Sequence, residues 1–134
     1  MKISYVLIVI GTIMFFISGS IFIYISYIVK ELDIEKIYSI LKEMGINIAK
    51  EIIYEIINVM KLFGFIHIVL AIVNSISIVG VYRKVLRRIN ILYIAIFISS
   101  IIGLFSLAGF FIGPLISIIG SILGVIRGDC IANQ

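Results

Sequence analysis

Apolar and polar positions along this chain are sorted into blocks rather than interleaved. No charged residue occurs in residues 3–29, 62–82 or 89–126. Charge-free apolar runs of about 18 or more residues can cross the hydrocarbon of a bilayer as helices. The pattern therefore predicts an all-α integral membrane protein. The first run predicts a span over 3–29, about 40 Å as a helix, which exceeds the hydrocarbon core and calls for tilt or projection. The second predicts a span over 62–82. The third is too long for one crossing and is punctuated by Gly109-Phe110-Phe111-Ile112-Gly113-Pro114, which holds the only proline. A proline suits the first turn of a helix because its missing N–H has no partner to lose there. A reversal near 108–113 therefore separates a span over 89–108 from one over 111–127. Four transmembrane helices in a single membrane domain, residues 1–134, result.

A cleaved secretory signal competes with the first span, since Lys2 precedes it and Ser18-Gly19-Ser20 supplies small residues. The apolar run continues through Ile21-Phe22-Ile23-Tyr24-Ile25, which favours an anchor. Between the first two spans lies an amphipathic segment, 31–60. Ile34, Ile37, Tyr38, Leu41 and Met44 share one helical stripe, away from Glu35, Lys36, Lys42 and Glu43. Gly45 suits a C-cap and Asn47 the next N-cap. A second helix follows, apolar at Ala49, Ile52, Ile53, Ile56, Ile57 and Met60. Its apolar face is too broad for a fully solvated helix, so it is expected on the membrane surface or capping the bundle, with continuity into the second span left open.

Composition agrees with lipid as the main solvent: 63% hydrophobic residues, 13% charged, and a mean hydropathy of +1.31. Charge then orients the spans. Four crossings place Lys2, Arg83, Lys84, Arg87, Arg88 and Arg127 on one side with Asp129, and five lysines with six acids on the other. The dense cluster Arg83, Lys84, Arg87 and Arg88 belongs in the cytoplasm by the positive-inside rule. Both termini are then cytoplasmic and 30–61 extracytoplasmic. Tyr5, Tyr82 and Tyr93 mark one interface, Tyr24 and Tyr27 the other. The same basic cluster would attract anionic headgroups. Nucleic acid is not expected as a partner of four basic residues in a short turn.

The candidate packing residues are small ones at every fourth position: Ala95, Ser99 and Gly103 in the third span, Gly113 and Ser117 with Gly120 and Gly124 in the fourth. Such rows let helix backbones approach closely where water exclusion cannot drive association. Contact between the third and fourth spans is the favoured use, ahead of an oligomer. His67 and Asn74 share one face of the second span and form a candidate intramembrane polar face. No acidic residue lies within any span to partner them. One histidine and one cysteine, Cys130, cannot make a zinc site. No Ser-His-Asp set, Walker loop or paired intramembrane carboxylate is present. No catalytic residue, metal or cofactor is expected.

The second half resembles an uncharacterised family of small prokaryotic, notably archaeal, four-span membrane proteins, a domain of unknown function. The residues that carry the likeness are Ile78-Val79-Gly80, the basic turn Tyr82-Arg83-Lys84-Val85-Leu86-Arg87-Arg88, Gly109-Phe110-Phe111-Ile112-Gly113-Pro114-Leu115, and Ile119-Gly120-Ser121-Ile122-Leu123-Gly124. The resemblance implies a fold and no activity. The leading expectation is a non-enzymatic accessory or structural subunit of a larger membrane assembly, in contact with lipid and with other membrane proteins or its own copies. The alternative is a small homo-oligomeric pore or holin-like permeabiliser whose lumen the His67–Asn74 face would line; a membrane enzyme ranks third.

Overall fold

The computed structural model describes residues 3–32, 34–83, 89–106 and 112–132, and all regular structure among them is helical. The helices are α1 (Ile3–Glu31), α2 (Ile34–Glu43), α3 (Lys50–Arg83), α4 (Ile89–Phe105) and α5 (Ile112–Ala132). Two of them, α1 and α3, are long and apolar enough to cross a membrane. The apolar parts of α4 and α5, Asn90–Phe105 and Ile112–Ile126, are shorter than that. Helix α4 stops at Phe105, with Ser106 N–H closing the last turn on the Ile102 carbonyl at 3.0 Å. Most of the expected reversal at 108–113 lies outside the described residues. Gly113 and Pro114 fall in the first turn of α5, where backbone N–H groups have no intrahelical acceptor and proline removes nothing.

The amphipathic segment resolves into α2 and the first turns of α3, which runs on without a break into the second apolar run. Gly45 does end α2, at a φ of 78°. Its N–H bonds the Lys42 carbonyl at 3.1 Å and the Ile46 N–H bonds the Leu41 carbonyl at 2.9 Å, the paired bonds of a Schellman cap. Asn47 is not the next N-cap. It stands exposed three residues before α3 begins at Lys50, and the first turn closes from the Ile52 N–H to the Ala49 carbonyl at 3.0 Å. The chain needs residues 46–49 to travel from the α2 cap to the start of α3.

Helices α1, α3, α4 and α5 form an up-down-up-down bundle in which each packs against the next and α5 closes back on α1. Side-chain pairs set an antiparallel register. Ser18 meets His67 and Tyr5 meets Tyr82 between α1 and α3, and His67 meets Ser106 between α3 and α4. Buried positions on α1 run through Ser4, Ile8, Gly11, Phe15 and Ser18, the three-and-four spacing of a helix seam, with Thr12, Gly19 and Ser26 buried beside them. Two apolar layers form the core, one from Ile8, Ile78, Tyr93 and Ile96, the other from Phe15, Leu70 and Ala71. Helix α2 buries none of its residues.

The distribution of side chains is inverted relative to a water-soluble bundle. Ser4, Thr12, Ser18, His67, Asn74, Ser99, Ser100, Ser106, Ser117 and Ser121 are buried, while Ile13, Ile17, Phe65, Val69, Ile76, Ile91, Ile98, Ile102 and Ile119 are exposed. Water would favour the reverse arrangement, because buried polar groups lose hydration and exposed apolar area gains nothing.

Candidate functional site: the polar interior

His67 and Asn74 lie on one face of α3, and that face looks into the bundle; their exposures are 2% and 0%. His67 bridges three helices. Its Nδ1 is 2.9 Å from Ser18 Oγ on α1, and its Nε2 is 2.6 Å from the Ser106 Oγ beside the end of α4. The rings of Phe15 and Phe22 box it at near-right angles, with centroids 5.6 and 6.1 Å away. Two turns along α3, Asn74 Oδ1 accepts a hydrogen bond from Ser99 of α4. The Asn74 amide nitrogen and the hydroxyls of Ser117 and Ser4 are buried without a partner among the described residues. The apolar layer of Phe15, Leu70 and Ala71 separates the His67 level from the Asn74 level.

Most interior hydroxyls return their proton to their own helix. Thr12 bonds the Ile8 carbonyl, Ser100 the Ile96 carbonyl, Ser77 the Val73 carbonyl and Ser121 the Ile118 carbonyl, at 2.7–2.9 Å. This back-bonding lets a serine sit in an apolar environment with its donor satisfied. The arrangement performs packing: small side chains bring backbones together, and a few polar groups bond across the seams.

The candidate packing residues divide between partners differently from the expected pairing of the third and fourth spans. Gly120 faces α1, where an added Cβ would stand 3.0 Å from the Ser4 carbonyl and 2.8 Å from Ile8. Gly113 also faces α1, 2.8 Å from the Met14 Cβ by the same measure, and Ser117 sits against Gly11. Of that row only Gly124 meets α4, under the Tyr93 ring. Gly103 of α4 accepts the Phe15 ring of α1, reaching across the bundle; Ser99 is buried and Ala95 half-buried. The reason is geometric: α5 packs against both α1 and α4, and Gly11 leaves room on α1 for the backbone of α5 at Gly113. In the basic cluster, Arg83 is the last residue of α3, while Lys84, Arg87 and Arg88 lie outside the described residues.

Three small residues that sequence reasoning passed over are central here. Gly19 and Gly64 cross between α1 and α3, and Gly11 receives α5. Ser18 and Gly19 read as a cleavage-site set in the sequence, and this masked their role at a helix crossing. A Gly11-to-Gly19 repeat two turns long was the available signal.

Outside the bundle, Lys50 Nζ bonds Glu35 at 2.6 Å and stands 5.3 Å from the Tyr38 ring centre, tying α2 to α3. The hydrogen bond and charge of Lys50 hold the Glu35 carboxyl below its ordinary value, and the same hydrogen bond raises Lys50. Both groups are exposed, so the pair adds little to stability. No group of three or more histidine, cysteine or acidic side chains able to hold a metal occurs among the described residues. No family model matches the chain, and neither the curated proteins nor the solved structures contain a match.

Proposed function

We propose that this chain is an integral membrane protein in which α1, α3, α4 and α5 cross the bilayer, and that it serves as a structural or accessory subunit of a larger membrane assembly without catalysing a reaction. The observation that carries the membrane reading is the inversion of polarity, with serines, His67 and Asn74 inside and isoleucines outside. In lipid that arrangement is favourable: exposed apolar side chains are solvated by acyl chains, and polar groups bond within the protein.

Dimensions support the same reading. Tyr5 and Tyr24 on α1 are about 28 Å apart at the helical rise, and Lys61 and Arg83 on α3 about 33 Å, close to the hydrocarbon thickness. Exposed Tyr24 and Tyr27 at one end and exposed Tyr82 at the other suit headgroup depth. The part of α3 before Lys61, together with α2, then stands outside the hydrocarbon, and the basic residues from Arg83 onward face the cytoplasm with both termini.

The accessory role rests on how the interior polar groups are used. Most of them bond neighbouring helices of the same bundle or their own backbone. The enclosure of His67 and Asn74 within one bundle favours this role over a pore formed between copies, which would require those side chains at a shared lumen. The test is purification in mild detergent followed by mass measurement and planar-bilayer recording. A stoichiometric complex with a different membrane polypeptide, and no unitary conductance, is expected. A homo-oligomer that conducts, and loses conductance in both His67→Leu and Asn74→Leu, would replace this reading with the pore.

A further inference from the structure

The register set by Ser18 and His67 stacks the interior of the bundle in layers. Asn74 lies seven residues after His67 on α3, and Gly11 lies seven before Ser18 on α1, so the antiparallel helices bring both to one level. Ser99 of α4 joins that level through its bond to Asn74. Ser117 of α5 joins it at Gly11, where an added Cβ would clash with the Ser117 hydroxyl. Thr12 and Ser100, next in sequence to Gly11 and Ser99, complete the layer, and each of its polar side chains is at most 4% exposed. Bulky layers flank it, Ile8, Ile78, Tyr93 and Ile96 on one side and Phe15 with Leu70 on the other.

Two polar groups of this layer have no partner among the described residues, the Asn74 amide nitrogen and the Ser117 hydroxyl. The others are met. Ser99 bonds Asn74, while Thr12 and Ser100 bond the Ile8 and Ile96 carbonyls of their own helices. Turning the Asn74 amide over would exchange its two atoms and leave the same position unmet, by an acceptor in place of a donor. Turning Ser117 onto a carbonyl of its own helix would satisfy that hydroxyl and still leave the amide. Buried amide groups without a partner are rare, because each forfeits its hydration.

We propose that one buried water molecule sits at this level and bridges Asn74 of α3 to Ser117 of α5. Water both donates and accepts, so it serves either orientation of the amide. A buried water typically makes about three hydrogen bonds. Asn74 and Ser117 supply two of them, and the lone pairs of Thr12 and Ser100, whose protons are already used, offer the rest. Small side chains throughout the layer, held between bulky neighbours that space the helices, leave room for a molecule of that size. An ion does not suit the site. No charged residue occurs in 3–29, 62–82 or 89–126 to offset its desolvation.

The bridge gives α5 its polar tie to the bundle. Ser117 and Ser121 are the only side chains in 112–126 able to hydrogen-bond, and Ser121 spends its proton on the Ile118 carbonyl. His67 and Asn74 tie α3 to α1 and α4 directly, and the water extends the same network to α5. The bridge depends on the interior alone, whether lipid or water lies outside.

The test is a crystal structure of the full chain at a resolution that shows ordered water. A density peak is expected within hydrogen-bonding distance of both Ser117 Oγ and the Asn74 amide atom that does not meet Ser99. A direct Asn74–Ser117 bond overturns the proposal. So does a peak that touches only one of the two, or a Ser117 hydroxyl turned onto the Gly113 carbonyl with no peak beside Asn74. The structure of Asn74→Leu separates a bridge from a water held by hydroxyls alone: its peak is expected to vanish, and a peak that persists overturns the bridge. If that variant does not fold, the wild-type density decides by itself.

Discussion

Gly19 of α1 and Gly64 of α3 meet backbone to backbone: a Cβ built on either would stand 2.9 Å from the carbonyl oxygen of the other. Neither carbonyl can move aside as a flexible side chain would, because each belongs to its own helix ladder. The crossing lies one residue from the Ser18–His67 bond, so the close approach is also what brings that serine within reach of the ring.

Gly19→Ala and Gly64→Ala are therefore each expected to destabilise the fold by about 1–3 kcal/mol, the usual cost of overpacking a close contact. Gly80→Ala provides the contrast, because its added Cβ would meet only the flexible end of Leu92. Thermal unfolding in detergent should separate the first two variants from the third. Equal stability for all three would show that the α1–α3 crossing is looser than described.

Close approach also governs Gly124, whose added Cβ would clash with the Tyr93 ring. Gly124→Ala is expected to destabilise by a similar amount, and Tyr93→Leu to relieve much of that loss in the double variant. Additivity of the two changes would count against direct contact, since coupling is expected only between touching residues.

Ser99 and Asn74 form another cross-helix polar contact, and the asymmetry of such pairs yields a further expectation. Ser99→Ala leaves the Asn74 carbonyl oxygen unpartnered beside an amide nitrogen that already lacks a partner. A loss of about 1 kcal/mol is expected, in the range of intramembrane hydrogen bonds. Asn74→Leu combined with Ser99→Ala removes the buried polar atoms together and should cost less than the sum of the single changes.

Charged positions made the ends of the long helices readable. Lys30 and Glu31 close α1, and Arg83 closes α3. Gly45 announced the end of α2 because a left-handed residue is a backbone requirement that few side chains meet. Helix pairing was less legible. A row such as Gly113, Ser117 and Gly120 suits any flat neighbour, and only the bundle's order of packing assigns it to α1 rather than α4. The partners of His67 lie 49 and 39 residues away. No local pattern in the chain identifies them, since serine recurs throughout these helices for back-bonding.

Acidification should loosen α2 before the bundle. Glu35 is held below its ordinary value of 4.5, so its pairing with Lys50 is complete above that pH and is lost as pH falls through the depressed value. The protection of α2 amides, exchange being referred to its intrinsic rate at each pH, is expected to fall over that acid range in the wild type. In Glu35→Gln that protection should already be slightly lower at neutral pH, a small effect because the pair is exposed, and should change less on acidification. An α2 protected equally in both proteins would show that the ion pair does not hold the helix in place.

The orientation is open to cysteine labelling. A reagent that cannot cross membranes is expected, from outside, to modify a cysteine placed at Ser39 and to leave Cys130 untouched. The opposite pattern would reverse the bundle in the membrane.

The central claim is that lipid, not water, solvates the isoleucine-rich exterior. It is tested most directly by spin labels at Ile13, Ile76, Ile98 and Ile119, all exposed on the helices of the bundle. Collision with oxygen and with a polar nickel chelate would be measured for the protein in lipid vesicles. High oxygen access and low nickel access at all four positions, with the reverse at Ser39, is the predicted result. High nickel access at Ile76 and Ile98 would place those faces in water and contradict the account.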